Sequence, residues 1–403
     1  MDGDDQSEEG PLARRRASEV EIDVRDHGRQ AREGLQAILH RLATLSCAPH
    51  RAVSLYLDTH WRDEQQRDRV RLNVRDRVRA LQARFPDDPA LAADLDAALA
   101  FTLDRVVQFE DVGYHGVALF RCTPANLDLS LRCRAELPTV VAAGPLPLVR
   151  PLAALAYRAA RALVAIADHQ TVRVYEVALG ELGPASEVTG EVPNAQSSGG
   201  WSQLRLQNRR DERIDALHRD AAQLIARRFD ELLPAWVLVG GREGAVANLE
   251  RLLPERVRAR TLDLGELDGR EPDRELLSQV EARIAVASAI EQRELAATIE
   301  TLARSGGRGA IGLPSVVDAL NRGRVMQLLC DERLSGELAV CDTCGVLSLE
   351  PGAERCSVCG APTHTIDAAE AIVRAALPLG AEIGMVRDNS LEPDGGVAAS
   401  LRF

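Results

Sequence analysis

Residues 196–225 read QSSGGWSQLRLQNRRDERIDALHRDAAQLI. Two serines and two glycines, which favour irregular backbone, run directly into a tryptophan and then into a segment of helical period. Ile214, Leu217, Ala221, Leu224 and Ile225 fall on one side of that helix, the side that faces a core. Arg205, Arg209 and Arg213 recur at every fourth position and share a different face, with Arg210 beside them. Seven arginines stand against four acids between 199 and 228. A glycine hinge, a bulky tip and an arginine-lined helix describe either a limb that grips phosphates or a solvated helix laced with its own ion pairs.

The flanks place this helix in a mixed α/β unit. Upstream, RALVAIADHQTVRVYEVAL (161–179) has two apolar runs around Asp168-His169-Gln170 and reads as a β-hairpin. Downstream, AWVLVGG (235–241) is a short buried strand and GAVANLERLL (244–253) a helix. The VGGREG turn between them (239–244) stands where a phosphate loop would. It lacks the Walker lysine and the dinucleotide spacing, so it reads as a plain strand-to-helix turn. His169 lies in the hairpin turn and His218 on the charged helix, neither with a catalytic partner nearby in sequence, and no serine or cysteine triad signature is present. The polar segment LGELDGREPDREL (264–276) reads as a boundary near 270.

Toward the N-terminus, residues 1 to about 30 mix acidic runs with RRR and read as a disordered tail. A helix is expected from about Arg32, then a strand in RAVSLYLDT (51–59) with Val53, Leu55 and Leu57 on its buried face. Helices follow at 62–84 and 90–105, with strands in GYHGVALFRC (113–122) and LSLRCRAEL (129–137). The 62–84 helix has eight arginines against four acids and reads as a surface helix with internal ion pairs, RNA contact being the rival. AGPLPLVRPL (143–152), with three prolines, reads as a linker that ends the first domain.

The last third opens with a long helix over Asp273–Arg304, broken by SGGRG. IGLPSVVDALNRGRVMQLLC (311–330) predicts helix, turn at Gly323 and strand; EAIVRAALPLGAEIGMVRD (370–388) predicts helix then strand; GGVAASLRF closes with a strand. Between them stands CDTC-x11-CSVC, with Cys341, Cys344, Cys356 and Cys359. Two such turns bring four thiolates to the corners of a tetrahedron, the donor set of a structural Zn2+, with a redox pair as the rival reading. Gly345 and Gly360 follow each pair where a knuckle turns left-handed. Cys47, Cys122, Cys133 and Cys330 sit among apolar neighbours and read as small buried hydrophobes.

Composition sets the outer limits. The 403 residues suffice for two or three domains; 45% are hydrophobic and 27% charged, a globular balance. No apolar run is long enough for a membrane span, and MDGDDQSEEG has no secretory-signal character, so a cytoplasmic protein is expected. A formal charge of −12 excludes a protein that coats nucleic acid non-specifically. Every basic side chain is arginine, never lysine.

Taken together, GGWSQLRLQNRRDERIDALHRDAAQLI (199–225), PSVVDALNRGRVMQLL (314–329) and GAEIGMVRDNSLEPDGGVAASLRF (380–403) resemble the archaeal and eukaryotic class 1 peptide chain release factors and their bacterial relatives. The resemblance implies an α/β (α+β) chain of three domains. These are a decoding-domain-like unit over 31–150, a central unit over 151–272, and an L7Ae-like unit over 273–403 with a zinc-ribbon insertion at 341–359. It implies ester hydrolysis of peptidyl-tRNA inside the ribosome, with Gly199, Gly200, Trp201 and Gln203 at the catalytic tip. Arg205, Arg209, Arg210 and Arg213 would bind RNA of the large subunit, and a translational GTPase would be a partner. Two departures shape the reading. Trp201 stands at the glutamine of the family's GGQ, and RLNVRDRV (71–78) stands where its codon-reading motif would fall. The expectation is therefore ribosome rescue rather than stop-codon decoding, with a ribosome binder that has lost hydrolysis as the alternative.

Overall fold

The computed structural model describes residues 22–23, 29–59, 63–107, 115–133, 135–158, 162–178, 181–190, 201–267, 269, 271–387, 391 and 395–403. Among these, no helix is long and apolar enough to cross a membrane. The elements form a five-stranded sheet, a larger mixed sheet and a four-stranded sheet with a small ribbon beside it.

The N-terminal part comprises β1 (Ile22–Asp23), α1 (Arg29–Thr44), β2 (Ala52–Asp58), α2 (Glu64–Arg84), α3 (Pro89–Val107), β3 (Gly116–Cys122), β4 (Leu127–Cys133), β5 (Val140–Gly144) and α4 (Arg150–Arg158). The strands lie in the order β1-β4-β3-β2-β5. β1 pairs with β4 inside the stretch expected to be a disordered tail, so Ile22 and Asp23 correct that expectation; residues 1–21 and 24–28 lie outside the described residues. Asp63 caps α2 by accepting from the Gln66 N–H at 2.6 Å, which fixes where the arginine-rich helix begins. The face of β2 carrying Val53, Leu55 and Leu57 packs on Val70, Val74 and Val78 of α2 and Leu91 and Leu95 of α3. The other face is buried too, because α1, α4 and elements from the far end of the chain cover Ala52 and Tyr56. The expected in–out alternation is thus replaced by burial on both faces.

The central part comprises β6 (Ala162–Ala167), β7 (Thr171–Ala178), β8 (Glu181–Leu182), β9 (Ser186–Thr189), α5 (Trp201–Leu232), β10 (Trp236–Gly241), α6 (Glu243–Leu252), α7 (Glu255–Arg258) and β11 (Thr261–Glu266). The β6–β7 hairpin forms as read, and β10 runs parallel to both β6 and β11. β11 takes in Leu264, Gly265 and Glu266, which the sequence reading placed in a polar boundary. Its burial alternates only weakly because it is the sheet's edge. α5 and α6 cover one face through Leu217, Ala221, Ile225 and Leu249.

The C-terminal part comprises α8 (Asp273–Arg304), β12 (Gly309–Ile311), α9 (Gly312–Asn321), β13 (Val325–Asp331), β14 (Glu337–Cys341), β15 (Leu347–Ser348), β16 (Thr363–Asp367), α10 (Ala368–Ala376), β17 (Glu382–Val386) and β18 (Val397–Leu401). The sheet runs β12-β18-β13-β17, and the cysteine segment makes its own β15-β14-β16 ribbon. α8 bridges two parts. Leu276 and Val280 close the second face of the central sheet, and Ala296 and Ile299 pack on the C-terminal one.

The proline-rich 143–152 stretch corrects the linker expectation. It finishes β5, enters α4, and lies pinned between the N- and C-terminal parts, which share one continuous core. Two charged side chains of α10, each 5% exposed, complete the joint. The Glu370 carboxylate accepts from the Val149 and Arg150 N–H groups at 2.8 and 2.9 Å, capping the N-terminus of α4. The Arg374 guanidinium donates to the Leu42 and Ala43 carbonyls in the last turn of α1, at 3.0 and 2.7 Å, and to that of Pro147. Anion at a helix start and cation at a helix end both match the helix dipole. The two charges lie one turn apart on α10, 3.8 Å from each other.

Candidate functional site

α5 has 32 residues and is about 48 Å long, far more than its sheet can cover. Trp201 is its first residue, so the helix begins immediately after the glycine pair. Gly199 and Gly200 lie outside the described residues, as do the side chains of Trp201, Gln203 and Arg205. The first fully buried side chains among the described residues are Leu217 and His218. Arg209 and Arg213 are exposed, and Arg210 is half-buried with its Nε shielded and without a hydrogen-bond partner. Arg209 makes no ion pair with any described residue; elsewhere on the helix Asp215 pairs with Arg251 at 3.7 Å, Arg228 with Glu231 at 3.4 Å and Asp230 with Arg256 at 2.7 Å. The first turns of α5 thus stand off the body as an arm. The first N–H groups of any helix lack partners within it and carry partial positive charge.

The arm is rooted by a polar network absent from the sequence reading. His218, taken there as a residue of a charged helix without a partner, is fully buried. Its Nε2 lies 3.0 Å from the Asp168 carbonyl oxygen in the hairpin turn, and its Nδ1 lies 3.0 Å from Nδ2 of Asn248 on α6. Asn248 also donates to Asp215 at 2.7 Å and accepts from Arg251 at 2.7 Å. An amide donating to Nδ1 requires a neutral imidazole whose Nε2–H donates to Asp168. Burial pulls the His218 pKa below its ordinary value in the same direction. The Asp168 carboxylate holds the turn by accepting from the Gln170 and Thr171 N–H groups at 2.6 and 2.8 Å. The i, i+3 pair Asp215/His218 on the helix was the available signal, but its partners come from elements 50 and 30 residues away in sequence.

The VGGREG turn is structural, as read. Gly241 has φ +130°, and a Cβ there would stand 2.0 Å from the Ala167 carbonyl oxygen, so β10 turns into α6 against the end of β6.

The cysteines converge. The sulfurs of Cys341, Cys344, Cys356 and Cys359 all lie within 4.8 Å of one another, with Cys341–Cys359 at 3.4 Å and Cys344–Cys356 at 3.6 Å. Sulfurs at the corners of a zinc tetrahedron stand about 3.8 Å apart, so the cluster fits a four-coordinate ion. The knuckles are equivalent. Gly345 and Gly360 have φ of +70° and +73°, and each donates its N–H to the carbonyl of the first cysteine of its pair. Backbone N–H groups of Cys359 and Val358 draw the Cys356 thiol down to about 6, while burial pushes the Cys344 thiol up to about 12. Beside the cluster, His364 Nδ1 meets the Asp342 carboxylate. The scattered cysteines Cys47, Cys122, Cys133 and Cys330 are all buried, as expected.

On α2 three of the arginines form ion pairs at the surface. Arg71 pairs with Asp68 at 3.2 Å, Arg75 with Asp76 at 3.5 Å and Arg69 with Asp63 at 3.9 Å.

The arm, its root and the hairpin all fall within one matched segment. Residues 147–285 match the family model of bacterial archaeo-eukaryotic release factor family 10. That match takes in the central part of the chain and the start of α8. Solved structures similar to the chain include the archaeal translation termination factor aRF1, at 17% identity over 92% of this chain and 98% of that one, with a TM-score of 0.26. The C-terminal domain of the peptide chain release factor from Methanosarcina mazei is 24% identical over 32% of this chain and 92% of its own, at a TM-score of 0.25. Ribosome-bound archaeal Pelota, in a model with ABCE1, is 16% identical over 68% of this chain and 71% of its own, at 0.39. No curated protein matches the chain. No residue role follows from likeness at this level.

Proposed function

We propose that this chain acts on the ribosome as a rescue factor, hydrolysing the ester of peptidyl-tRNA without decoding a stop codon. The observation that carries the reading is the α5 arm. An arginine-bearing helix stands off the body, starts at Trp201, and lies in the segment matched by a release-factor family. In this reading the chain divides into working parts at 31–150, 151–272 and 273–403. The 199–203 loop is the catalytic tip in the peptidyl transferase centre of the large subunit. Water attacks the ester carbonyl there, and the developing oxyanion is met by backbone N–H groups at the start of α5. That chemistry uses main chain, so it tolerates Trp201 at the position of the family's glutamine, and Gln203 orients the water. Gly199 and Gly200 give the tip the freedom to thread a crowded RNA cavity. Arg205, Arg209, Arg210 and Arg213 contact ribosomal RNA phosphates. The four cysteines hold a structural Zn2+, which closes the ribbon and leaves no coordination position for substrate. A translational GTPase delivers the factor, and the reaction takes place in the cytoplasm.

Trp201 also favours a second reading, a ribosome binder without hydrolysis. Incubating the purified chain with stalled ribosomal complexes bearing labelled peptidyl-tRNA decides between them. Release that disappears in Gly200→Ala, with binding retained, supports the hydrolase. Co-sedimentation with ribosomes and no release supports the binder.

A further inference from the structure

Sequence and packing put a single buried imidazole at the base of a long lever. From His218 to Trp201 is 17 residues of helix, about 25 Å, so a tilt of roughly 10° at the root carries the tip about 4 Å. Displacements much smaller than that abolish productive alignment of reacting groups. The root therefore needs a contact that fixes direction as well as depth. Apolar packing of Leu217, Ala221 and Ile225 sets depth but tolerates sliding and tilting. Hydrogen bonds of fixed direction do not.

We propose that His218 is a positioning residue, whose neutral Nε2–H tautomer clamps the root of α5 to the β6–β7 turn and to α6 and so sets the direction of the arm, and whose protonation releases it. The proposal rests on the reading of the arm as the working limb. Both ring nitrogens are engaged, one as donor to the Asp168 carbonyl and one as acceptor from Asn248, so the ring bridges three elements in one orientation. A second proton on Nδ1 turns the acceptor into a donor facing the Asn248 NH2 group. Asn248 has no easy response: its Oδ1 is held by Arg251 at 2.7 Å, and rotating the amide would break that bond and the one to Asp215. The charged and titratable groups facing the ring are Asp168 and His169 from the hairpin, Asp215 from α5 itself, and Arg251, through Asn248, from α6. His169 opposes a positive ring, whereas Asp215 and Asp168 favour one; burial outweighs them, so the neutral clamp is the resting state at neutral pH. Because the folded-state pKa lies below the unfolded one, the clamp is at full strength above the ordinary histidine range and weakens as pH falls through the folded value.

The test uses the full zinc-loaded chain with spin labels introduced as unnatural amino acids at 209, on the arm, and 282, an exposed position of α8. Distance distributions are measured at two pH values, 7.5 and the lowest at which circular dichroism shows the fold intact. The wild type is expected to give one narrow distribution at pH 7.5 and a broad one at the acid end. His218→Gln, which can donate and accept but cannot titrate, is expected to stay narrow at both. Release of labelled nascent chains is expected to fall about tenfold over the same range in the wild type but not in His218→Gln, in line with the loss of one buried hydrogen bond. A wild-type distribution unchanged between the two pH values overturns the clamp, as does equal broadening in His218→Gln. The distance measurement contains no ribosome. Absence of peptide release with the expected distances therefore refutes the hydrolase reading and leaves the clamp standing.

Discussion

Arg374→Met is the sharpest probe of how the chain is held together. The methionine keeps most of the volume in the joint but removes donors to the Leu42, Ala43 and Pro147 carbonyls. It also leaves the Glu370 carboxylate buried at 5% exposure without its countercharge. Each charge-assisted hydrogen bond contributes about 1.5–3 kcal/mol, but the lost bonds share one desolvated group and do not add. Removing one partner of a buried ion pair costs about 3–5 kcal/mol, and a loss near 4 kcal/mol is expected here. Glu370→Gln should cost about 1–3 kcal/mol, since the amide can accept from only one of the Val149 and Arg150 N–H groups well. The double variant should cost at least about 1 kcal/mol less than the sum of the two, because it leaves no unpaired charge. Urea unfolding followed by far-ultraviolet circular dichroism measures all three. The wild-type N- and C-terminal parts should unfold together, and in Arg374→Met their transitions should separate or shift to lower urea. A loss below about 1 kcal/mol for Arg374→Met would mean that the guanidinium is solvated, and the shared core would be refuted.

Three further outcomes follow from the geometry. Metal analysis of the purified chain should give one zinc per molecule, lost in Cys341→Ser, and chelation should remove the ordered ribbon while leaving the central sheet folded, checked by hydrogen exchange. Gly241→Ala should destabilise by about 3 kcal/mol or more and reduce soluble yield, since a Cβ there overlaps the Ala167 carbonyl and the backbone has φ +130°. Arg209→Ala should change unfolding stability by less than about 0.5 kcal/mol. Its ribosome affinity should weaken, with the slope of log affinity against log salt reduced by about one.

Local pattern reached far into this fold. The period of α5, the apolar runs around Asp168 and the boundaries of α8 are all carried by neighbours a few residues apart, and each element forms where its pattern stands. The cysteine spacing was equally readable, because two tight turns leave the sulfurs few places to go. The root of the arm was not readable. His218 looks solvated in a run of charged residues, and its burial depends on Asp168 and Asn248, which arrive from a turn and a helix that the sequence cannot orient. The edge strand β11 escaped because one row of its neighbours is missing, so it carries too little apolar signal to outweigh its acids.

The proline-rich stretch 143–152 shows why a loop signal can mark a joint. Pro145 and Pro147 have no N–H to give to a helix interior or a sheet, so the backbone groups around them must find partners elsewhere or stay in water. Here they find partners in two parts of the chain. The Pro145 carbonyl accepts from the Cys47 N–H at 2.7 Å. The Leu148 N–H donates to Ser54 Oγ at 2.9 Å, and its carbonyl accepts from the Tyr56 hydroxyl at 2.6 Å. Pro147 takes Arg374, and Val149 and Arg150 take Glu370. This also explains the polar residues on the second face of β2. Ser54 and Tyr56 read as an outward face by alternation, yet both are buried, because their hydroxyls serve the strap that crosses them. A charged pair one turn apart in the alanine-rich AAEAIVRAA of α10 was the counterpart signal at the other end of the chain. Sequence shows such groups only as locally unsatisfied; they become interpretable as one device when the strap, β2 and α10 are seen to need one another.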